Sequence, residues 1–264
     1  MKEAATTTNS TSLPEYKCNR CKDKGYIING WTATECSCQQ QKRLMRRFQS
    51  AMIPEEFQTA TFQGYKVENS AQKQLFDAAV TYVKKFDQDD FGVYKGNSLG
   101  FIAVYGESRL KSLPTGERMK MKRQHNNYGL GKTHLQMAIA RELIRRGHTV
   151  LCVSDVSLME ELMAAKMEAV EEYNKRIHDI INVPVLVWDD IGKSNPSEAK
   201  RAAYFHIINE RYKAKRPIIY SSNEDVETLS DRIGNAAASR LLGMSKGRIV
   251  RVEGPDYRLG GKTA

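Results

Sequence analysis

Long apolar runs are absent from this 264-residue sequence. No stretch approaches the roughly 18 apolar residues that a membrane-spanning helix needs, so we expect no membrane partner. The first fifteen residues also lack an apolar core, which argues against a secretory signal and predicts a disordered tail over residues 1–15. The expected location is the cytoplasm.

Cysteine is scarce outside one short segment. Of the five cysteines, Cys152 stands alone in an apolar run, where we expect a buried strand residue. The other four form a C-x2-C pair and a C-x-C pair with fourteen residues between them, namely Cys18, Cys21, Cys36 and Cys38. Four close cysteines in a chain without an export signal indicate metal binding rather than disulfides. The spacing predicts a structural zinc site with four thiolate ligands.

Acidic residues are outnumbered by basic ones. Lys and Arg total 41 against 31 Asp and Glu, which gives a net charge of +10. Basic side chains that neutralise phosphates release counterions, so a nucleic acid is a candidate partner. Charge alone leaves a solvated basic surface equally open.

The length allows one α/β domain of about 200 residues and a small accessory module. We predict a zinc-binding module over residues 16–66, which ends in an extended connector over 53–65, and an α/β domain over 67–264. In the second domain, apolar runs at 101–106, 149–153, 183–190 and 216–223 alternate with helical patterns that include 71–86 and 156–181. Near-continuous apolar strands separated by helices predict a parallel sheet flanked by helices.

The strongest motif is GLGKTHL, at residues 129–135, followed by an amphipathic helical pattern. A glycine-rich turn that opens a helix presents backbone N–H groups to phosphates. We expect Lys132 to reach the β- and γ-phosphates of ATP and Thr133 to bind Mg²⁺. The neighbouring residues expected to surround the nucleotide are Gly129, Leu130, Gly131 and His134.

Acidic and amide side chains follow two of the predicted strands. The run VPVLVWDD ends in Asp189, expected to hold Mg²⁺, and Asp190, expected to orient or deprotonate the attacking water. Asn223 ends the next strand, where it could bind the water or the γ-phosphate, or cap the following helix. Further along, Arg240 could supply positive charge to a neighbour's ATP and Arg258 to the chain's own ATP, although isolated arginines are usually surface residues.

The phosphate loop departs from the pattern G-x-x-x-x-G-K-[ST], because Asn126 occupies the position of its first glycine. Gly106 is a displaced counterpart if residues 109–128, of charge +5, are an insertion that loops out to solvent. Deleting that segment would then restore GESGLGKT and strengthen ATP binding. Alternatively, Asn126 or Asn127 closes the loop, or the basic segment contacts DNA.

The motifs together resemble the DnaC/DnaI-type helicase loaders, a branch of the AAA+ ATPases. The resemblance extends from Tyr16 to Arg258 and rests on CNRC, CSCQQQ, IPEEFQTATFQGY, GLGKTHL, VLVWDDIG, IINERY, PIIYSSN, SRLLG and GPDYR. It implies Walker A, Walker B and sensor I roles at the positions above, an arginine finger at Arg240 and sensor II at Arg258. It further implies a cytoplasmic ATPase of bacteria or phage-infected bacteria that self-associates through AAA+ interfaces. Its expected partners are the hexameric replicative helicase and single-stranded DNA.

The predicted helicase contact is the basic helix over residues 39–52. There the apolar patch of Leu44, Met45 and Phe48 is flanked by the arginines at 43, 46 and 47. That patch could instead pack on the zinc module. Two other functions stay open: a transposition helper ATPase of the IstB type, which would not need the cysteines, and a non-hydrolysing scaffold or inhibitor that binds the helicase.

Overall fold

The computed structural model describes residues 16–88 and 97–254, and they divide into two compact units between Arg46 and Arg47. The tail predicted over residues 1–15 and the candidate Arg258 lie outside the described residues. Within the described ranges, no helix is long and apolar enough to cross a membrane.

The first unit contains a two-stranded antiparallel hairpin and the start of a helix. Strands β1 (Tyr26–Asn29) and β2 (Thr32–Glu35) pair along their whole length, and helix α1 (Ser37–Ser50) follows directly. Gly30 supplies the tight turn with a φ of 61°. The N–H of Cys36 donates to the carbonyl of Gly25 at 2.8 Å, which ties the end of the hairpin to the segment before it.

The second unit is built on a five-stranded parallel sheet in the order β4-β5-β6-β3-β7. The predicted α/β class is thereby confirmed. The sequence predicted four of these strands, each within a few residues, and missed β7. Their bounds are β3 (Leu99–Ala103), β4 (Val150–Ser154), β5 (Val185–Asp189), β6 (Ile218–Ser221) and β7 (Ile249–Val252).

Helices cover the sheet and hold its strands in place. On one side α5 packs on β4, β5 and β6 and contacts α2, while α6 to α10 enclose a core that includes Trp188 and Tyr204. The predicted helix over 156–181 is two helices that meet at Ala169. The bounds are α2 (Ser70–Lys85), α3 (Glu107–Ser112), α4 (Thr115–Gln124), α5 (Lys132–Arg145), α6 (Asp155–Glu168), α7 (Val170–Asn182), α8 (Glu198–Lys213), α9 (Val226–Ile233) and α10 (Asn235–Met244).

The division between the units falls earlier than the predicted boundary near residue 66. Residues 53–65 contain a short 3-10 turn, Glu55–Phe57, and their aromatic side chains pack on α2. The ring of Phe62 meets Phe76 edge-on at 6.1 Å, and Tyr65 stacks on the same ring at 6.0 Å. The connector therefore belongs to the second unit, where Phe62 and Tyr65 are half-buried against α2.

Residues 109–128, expected to loop out to solvent, are helical over most of the segment, and the described side chains of α4 are mostly exposed. Helix α3 includes residues 109–112, and α4 covers 115–124. Leu110 is buried, and Arg109 forms ion pairs with Asp225 at 3.3 Å and with Glu227 at 2.5 Å. These contacts hold the start of the segment against α9 instead of leaving it in solvent.

Candidate functional site

The segment from Gly129 to Gly131 is a tight turn that leads directly into α5. Both glycines have left-handed backbone, with φ of 66° and 79°. At Gly131 a Cβ would also lie 2.5 Å from Cε2 of Tyr65, so glycine is required for two reasons. Gly131 is the N-cap of α5 and offers no side-chain cap to its first N–H groups. A helix start with such N–H groups is suited to binding phosphate.

Lys132 opens α5 and directs its ammonium group toward the end of β6. The residue is 8% exposed. Its Nζ donates to Oδ1 of Asn223 at 2.7 Å and to the carbonyl oxygens of Asn127 at 3.2 Å and Ser222 at 3.4 Å. Lys132 thus connects the phosphate loop to β6. An ammonium surrounded by oxygen acceptors beside a helix N-terminus can exchange one of them for a phosphate oxygen.

Thr133 and Asp189 lie side by side at the mouth of the loop. The Thr133 hydroxyl donates to both carboxylate oxygens of Asp189 at 3.1 Å, and the Ser221 hydroxyl donates to Asp189 at 2.6 Å. Burial raises the pKa of Asp189, and the charge of Asp190 acts in the same direction. Hydroxyl and carboxylate oxygens are the donors that Mg²⁺ takes, and a divalent cation favours the ionised carboxylate. The pair therefore fits Mg²⁺.

Asp190 has a left-handed backbone with a φ of 54°, which is unusual for a residue other than glycine. Its carboxylate accepts from Nδ2 of Asn223 at 3.1 Å and from Nζ of Lys193 at 2.6 Å. The amide of Asn223 consequently bridges Lys132 and Asp190. Lys193 was not identified from the sequence. The signal that could have indicated it is its position three residues after Asp190, in the turn DDIGK.

Asn126 holds the start of the phosphate loop against the end of β7. Its Nδ2 donates to the carbonyl of Gly254 at 2.6 Å and to that of Tyr128 at 3.1 Å. The N–H of Gly254 donates back to the Asn126 carbonyl at 2.9 Å. This reciprocal pair fixes the position that the usual motif gives to its first glycine.

Asn127 connects the same loop to the end of β3. It is buried, its Nδ2 donates to the carbonyl of Tyr105 at 2.6 Å, and its own carbonyl accepts from Lys132. The two asparagines thus act through hydrogen bonds, while Gly129 and Gly131 provide the left-handed backbone. Of the alternatives that the sequence left open, this geometry corresponds to closure by Asn126 and Asn127.

Gly106, the expected counterpart of the first glycine, starts α3 with a φ of −67°. Its N–H donates to Asp225 at 2.9 Å. The next two N–H groups are also engaged, that of Glu107 by the carbonyl of Asn223 at 2.9 Å and that of Ser108 by Glu224 at 3.0 Å. These donors hold α3 against the segment after β6, so the phosphate cradle expected from residues 106–108 is not formed by them in this structure.

Leu130 and His134, both expected beside the nucleotide, contact the segment before α2. The Leu130 carbonyl accepts from the Tyr65 hydroxyl at 2.6 Å, and Nε2 of His134 is 2.9 Å from the Thr61 carbonyl. Burial raises the pKa of Tyr65. Its ring borders a small cavity between residues 64–66 and the loop at 129–131. Sequence reasoning did not single out Tyr65, because nothing local connects it to a loop so distant in the chain.

Arg240 lies on α10, where its guanidinium group covers the ring of Phe205 at 5.0 Å and donates to the Ala236 carbonyl at 3.0 Å. The structure therefore assigns Arg240 to the surface formed by α8 and α10. Its partners there differ from those of Lys132 and Asp190.

The four cysteines of the first unit converge. Their Sγ atoms all lie within 4.8 Å of one another, with 3.8 Å between Cys18 and Cys36 and 3.5 Å between Cys21 and Cys38. Zinc bound tetrahedrally at about 2.3 Å from each sulfur places the sulfurs about 3.8 Å apart. The cluster therefore fits a zinc ion, with all four positions filled by the protein.

Backbone hydrogen bonds support thiolates in this cluster. The N–H of Gly25 donates to Sγ of Cys21 at 3.3 Å. Backbone hydrogen bonds from Cys21 and Arg20 lower the pKa of Cys18 to about 6. Because the thiolate is the metal-binding form, both features favour a metal site, whereas desolvation raises the pKa of Cys38 to about 12 and acts against its thiolate.

The three side chains of the predicted apolar patch on α1 differ in their exposure and contacts. Met45 is 59% exposed and Leu44 is half-buried, both in the first unit. Phe48 belongs to the second unit, where the guanidinium of Arg141 covers its ring at 5.3 Å. Phe48 is half-buried and already has Arg141 as a partner, so a single patch of all three side chains stays a prediction.

Comparisons with known proteins identify relatives of two kinds. The profile of the family described as IstB-like ATP binding protein matches residues 125–264. The replicative helicase loader DnaC of Escherichia coli (strain K12) is 26% identical over 221 residues, covering 83% of this chain and 78% of that protein. A putative ATP-binding protein of insertion sequence IS21 from Pseudomonas aeruginosa is 27% identical over 197 residues, covering 73% of this chain and 71% of that protein.

A solved structure of the DnaC helicase loader matches with a TM-score of 0.57 at 20% identity. The match covers 76% of this chain and all of the other chain. At this identity the likeness concerns the fold, and it confirms the predicted AAA+ architecture.

Proposed function

This chain belongs to the IstB-like ATP binding protein family, and on that premise we propose that it is an ATP-dependent loader of a replicative DNA helicase onto single-stranded DNA. The observation that carries the proposal is that one chain joins a nucleotide site to a four-cysteine module. Similarity to the helicase loader DnaC over 83% of the chain supports it.

In the proposed cycle, Lys132 and the first N–H groups of α5 bind the β- and γ-phosphates. Thr133 and Asp189 hold Mg²⁺, which when bound neutralises phosphate charge. Asp190, oriented by Asn223, positions the attacking water and accepts its proton. Arg240 contributes positive charge to the site of a neighbouring copy, and Arg258 to the chain's own site.

The proposed contact with the helicase lies in the first unit. Zinc holds this unit together, because so few residues bury too little apolar surface to fold without a metal or disulfides. Met45 and Leu44 offer apolar side chains beside Arg43 and Arg46, a composition that suits a protein interface. Phe48 is not included, since its ring packs under Arg141.

The test is co-purification of the full chain with the host replicative helicase, with and without ATP. We expect a complex that is lost in a Cys18→Ser, Cys21→Ser variant and retained in a Cys152→Ser variant, which removes a cysteine outside the cluster. Absence of any complex with the intact protein under both nucleotide conditions would reject the loader function.

A transposition helper ATPase is the second candidate, favoured by the IS21 relative. It predicts capture of a transposase rather than a helicase, and activity that does not depend on the four cysteines. The same purification, repeated with each partner, separates the two functions.

A non-hydrolysing scaffold is the third candidate, favoured by the departure at Asn126 and by the engaged N–H groups of residues 106–108. It predicts helicase binding without ATP turnover. An ATP titration combined with a phosphate-release assay distinguishes it from an active loader.

A further inference from the structure

Helices α3 and α4 carry a run of basic side chains, which we call the basic arm and define as residues 109–125. Its described cations include Lys111, Lys120 and Lys122, all exposed, and the arm is followed directly by the phosphate loop. Arg118 closes the turn between the helices by donating to the carbonyls of Lys111 and Leu113. The arm is therefore a folded helical segment and not an extended loop.

Helix α4 has few stabilising features of its own. Its N-cap, Pro114, makes no side-chain hydrogen bond, and Arg118 and Lys122 place like charges one turn apart. Met119 and Met121 alternate with Lys120 and Lys122, so the helix has no single apolar face to bury. A polyanion bound along it would relieve this repulsion.

The arm is anchored at both ends beside the nucleotide site. At its start, Arg109 pairs with Asp225 and covers the ring of Tyr105 at 5.3 Å. At its end, His125 stacks on Tyr105 at 5.2 Å, and its Nδ1 is 2.7 Å from a carboxylate oxygen of Glu253. Tyr105 is thus held by both ends of the arm.

A short series of contacts leads from this anchor to the phosphate-binding lysine. The Tyr105 carbonyl accepts from the Asn127 side chain at 2.6 Å, and the Asn127 carbonyl accepts from Nζ of Lys132 at 3.2 Å. A displacement of the arm that moves Tyr105 or Asn127 therefore changes the surroundings of Lys132.

We propose that the basic arm binds the phosphodiester backbone of single-stranded DNA and couples that binding to the nucleotide site through Tyr105 and Asn127. The choice of DNA rests on the proposed loader function. The composition of the arm also favours a nucleic acid, since membrane-surface helices need an apolar face and protein interfaces need apolar anchors. On α4 the exposed Met119 stands among lysines and forms no apolar face, whereas the exposed lysines supply charge.

The test compares two full-length variants that lose the same charge. Lys120→Gln, Lys122→Gln alters the arm, whereas Lys84→Gln, Lys85→Gln alters exposed lysines at the last turn of α2. Binding to a fluorescent oligothymidylate is followed by anisotropy across a salt series. If the arm variant loses two contacts with DNA phosphates, its affinity for the oligonucleotide should fall on the order of tenfold near 0.1 M salt. The slope of log affinity against log salt concentration should become shallower by about 1.4. The α2 variant and a Lys120→Arg, Lys122→Arg variant should stay close to the parent.

Coupling between the arm and the nucleotide site is measured by comparing the ATP affinity with and without the oligonucleotide. The parent should show a change of about fivefold or more, and the arm variant should lose most of it. Equal salt slopes in the two Gln variants would overturn the proposal. It would also be overturned if the arm variant lost binding to anionic phosphatidylserine vesicles but not to DNA. A parent that co-purifies with the helicase but does not bind oligothymidylate would overturn this inference and leave the loader function standing.

Discussion

At the scale of single residues, Asn223 connects the two halves of the candidate site. Its Oδ1 accepts from Lys132 and its Nδ2 donates to Asp190, so one amide touches both a phosphate-binding group and the proposed base. Substitutions of Lys132 and Asp190 should nevertheless have different effects on ATP binding and hydrolysis. Lys132 acts on the bound nucleotide, whereas Asp190 acts mainly in the transition state.

We therefore expect Lys132→Ala and Asp189→Asn to lose nucleotide binding. Asp190→Asn should bind ATP about as well as the parent and hydrolyse it roughly 100-fold or more slowly. Titration with a fluorescent ATP analogue and a phosphate-release assay measure the two effects. Equal losses of affinity in all three variants would contradict these roles.

Asp225 offers a residue-scale test of how α3 is held. Its carboxylate caps α9 by accepting from the N–H groups of Glu227 and Thr228, and it also accepts from the N–H of Gly106. Asp225→Ala should lower the free energy of unfolding by about 2 kcal/mol, as expected for a lost N-cap. Chemical denaturation measures the change, and Asp231→Ala, on an exposed position of the same helix, is the control.

The stabilisation by Asp225 should depend on pH. Although burial raises the pKa of this carboxyl, hydrogen bonds from Thr228 and Gly106 and the charge of Arg109 hold it below its usual value. A depressed folded-state pKa gives stabilisation that is complete above the unfolded-state value near 3.9 and is lost as the pH falls through the folded-state value. The difference between parent and variant should thus be constant from about pH 5 to 7 and shrink in stronger acid. A difference that grows on acidification would be inconsistent with this assignment.

At the scale of elements, the cysteine cluster should determine whether the first unit folds. Protein purified without chelator should contain about one zinc per chain by metal analysis, and Cys18→Ser, Cys21→Ser should lose it. Proteolysis should then cut the hairpin over residues 26–35 while the second unit stays resistant. Metal-free protein with an intact hairpin would show that the thiols pack without a metal.

The elements also show what the sequence could predict. Four parallel strands were predicted because each is a near-continuous apolar run in the sequence. The GKT and DD motifs were found because each is a short stretch of consecutive residues. Strand β7 was missed because the exposed Arg251 interrupts its short apolar run. Tyr65 was not assigned to the site, because its contact with Leu130 forms only when distant segments meet. Lys193 was missed although its contact with Asp190 is local.

The deletion of residues 109–128 now has an expected outcome opposite to the one drawn from the sequence. It restores GESGLGKT but removes Asn127, whose amide and carbonyl fix the loop between Tyr105 and Lys132. We expect the deletion to weaken ATP binding, and Asn127→Ala to weaken it about tenfold through a lost buried hydrogen bond. Calorimetric titration with ATP measures these affinities. Tighter ATP binding after the deletion would support the interpretation of residues 109–128 as an inserted loop.

At the scale of the whole molecule, Arg240 raises the question of self-association. Its guanidinium covers Phe205 on the surface of α8 and α10, and its contacts there do not include Lys132 or Asp190. An arginine on such a surface can contribute to ATP hydrolysis if a neighbouring copy brings its own nucleotide site against it. The required interface is heterologous, with one copy supplying Arg240 and the other Lys132.

Mixing two inactive variants tests this arrangement. Arg240→Ala leaves its own phosphate site intact, and Lys132→Ala leaves its arginine intact, so each alone should hydrolyse ATP roughly 100-fold or more slowly than the parent. In an equal mixture, about one quarter of heterologous interfaces combine an intact Lys132 site with an intact Arg240. ATP turnover should accordingly recover to about a quarter of the parent rate per chain. A double variant, Arg240→Ala with Lys132→Ala, mixed with either single variant should recover nothing, because no interface then holds both residues. Turnover that stays at the single-variant level in the first mixture would show that Arg240 does not act on a neighbour's nucleotide.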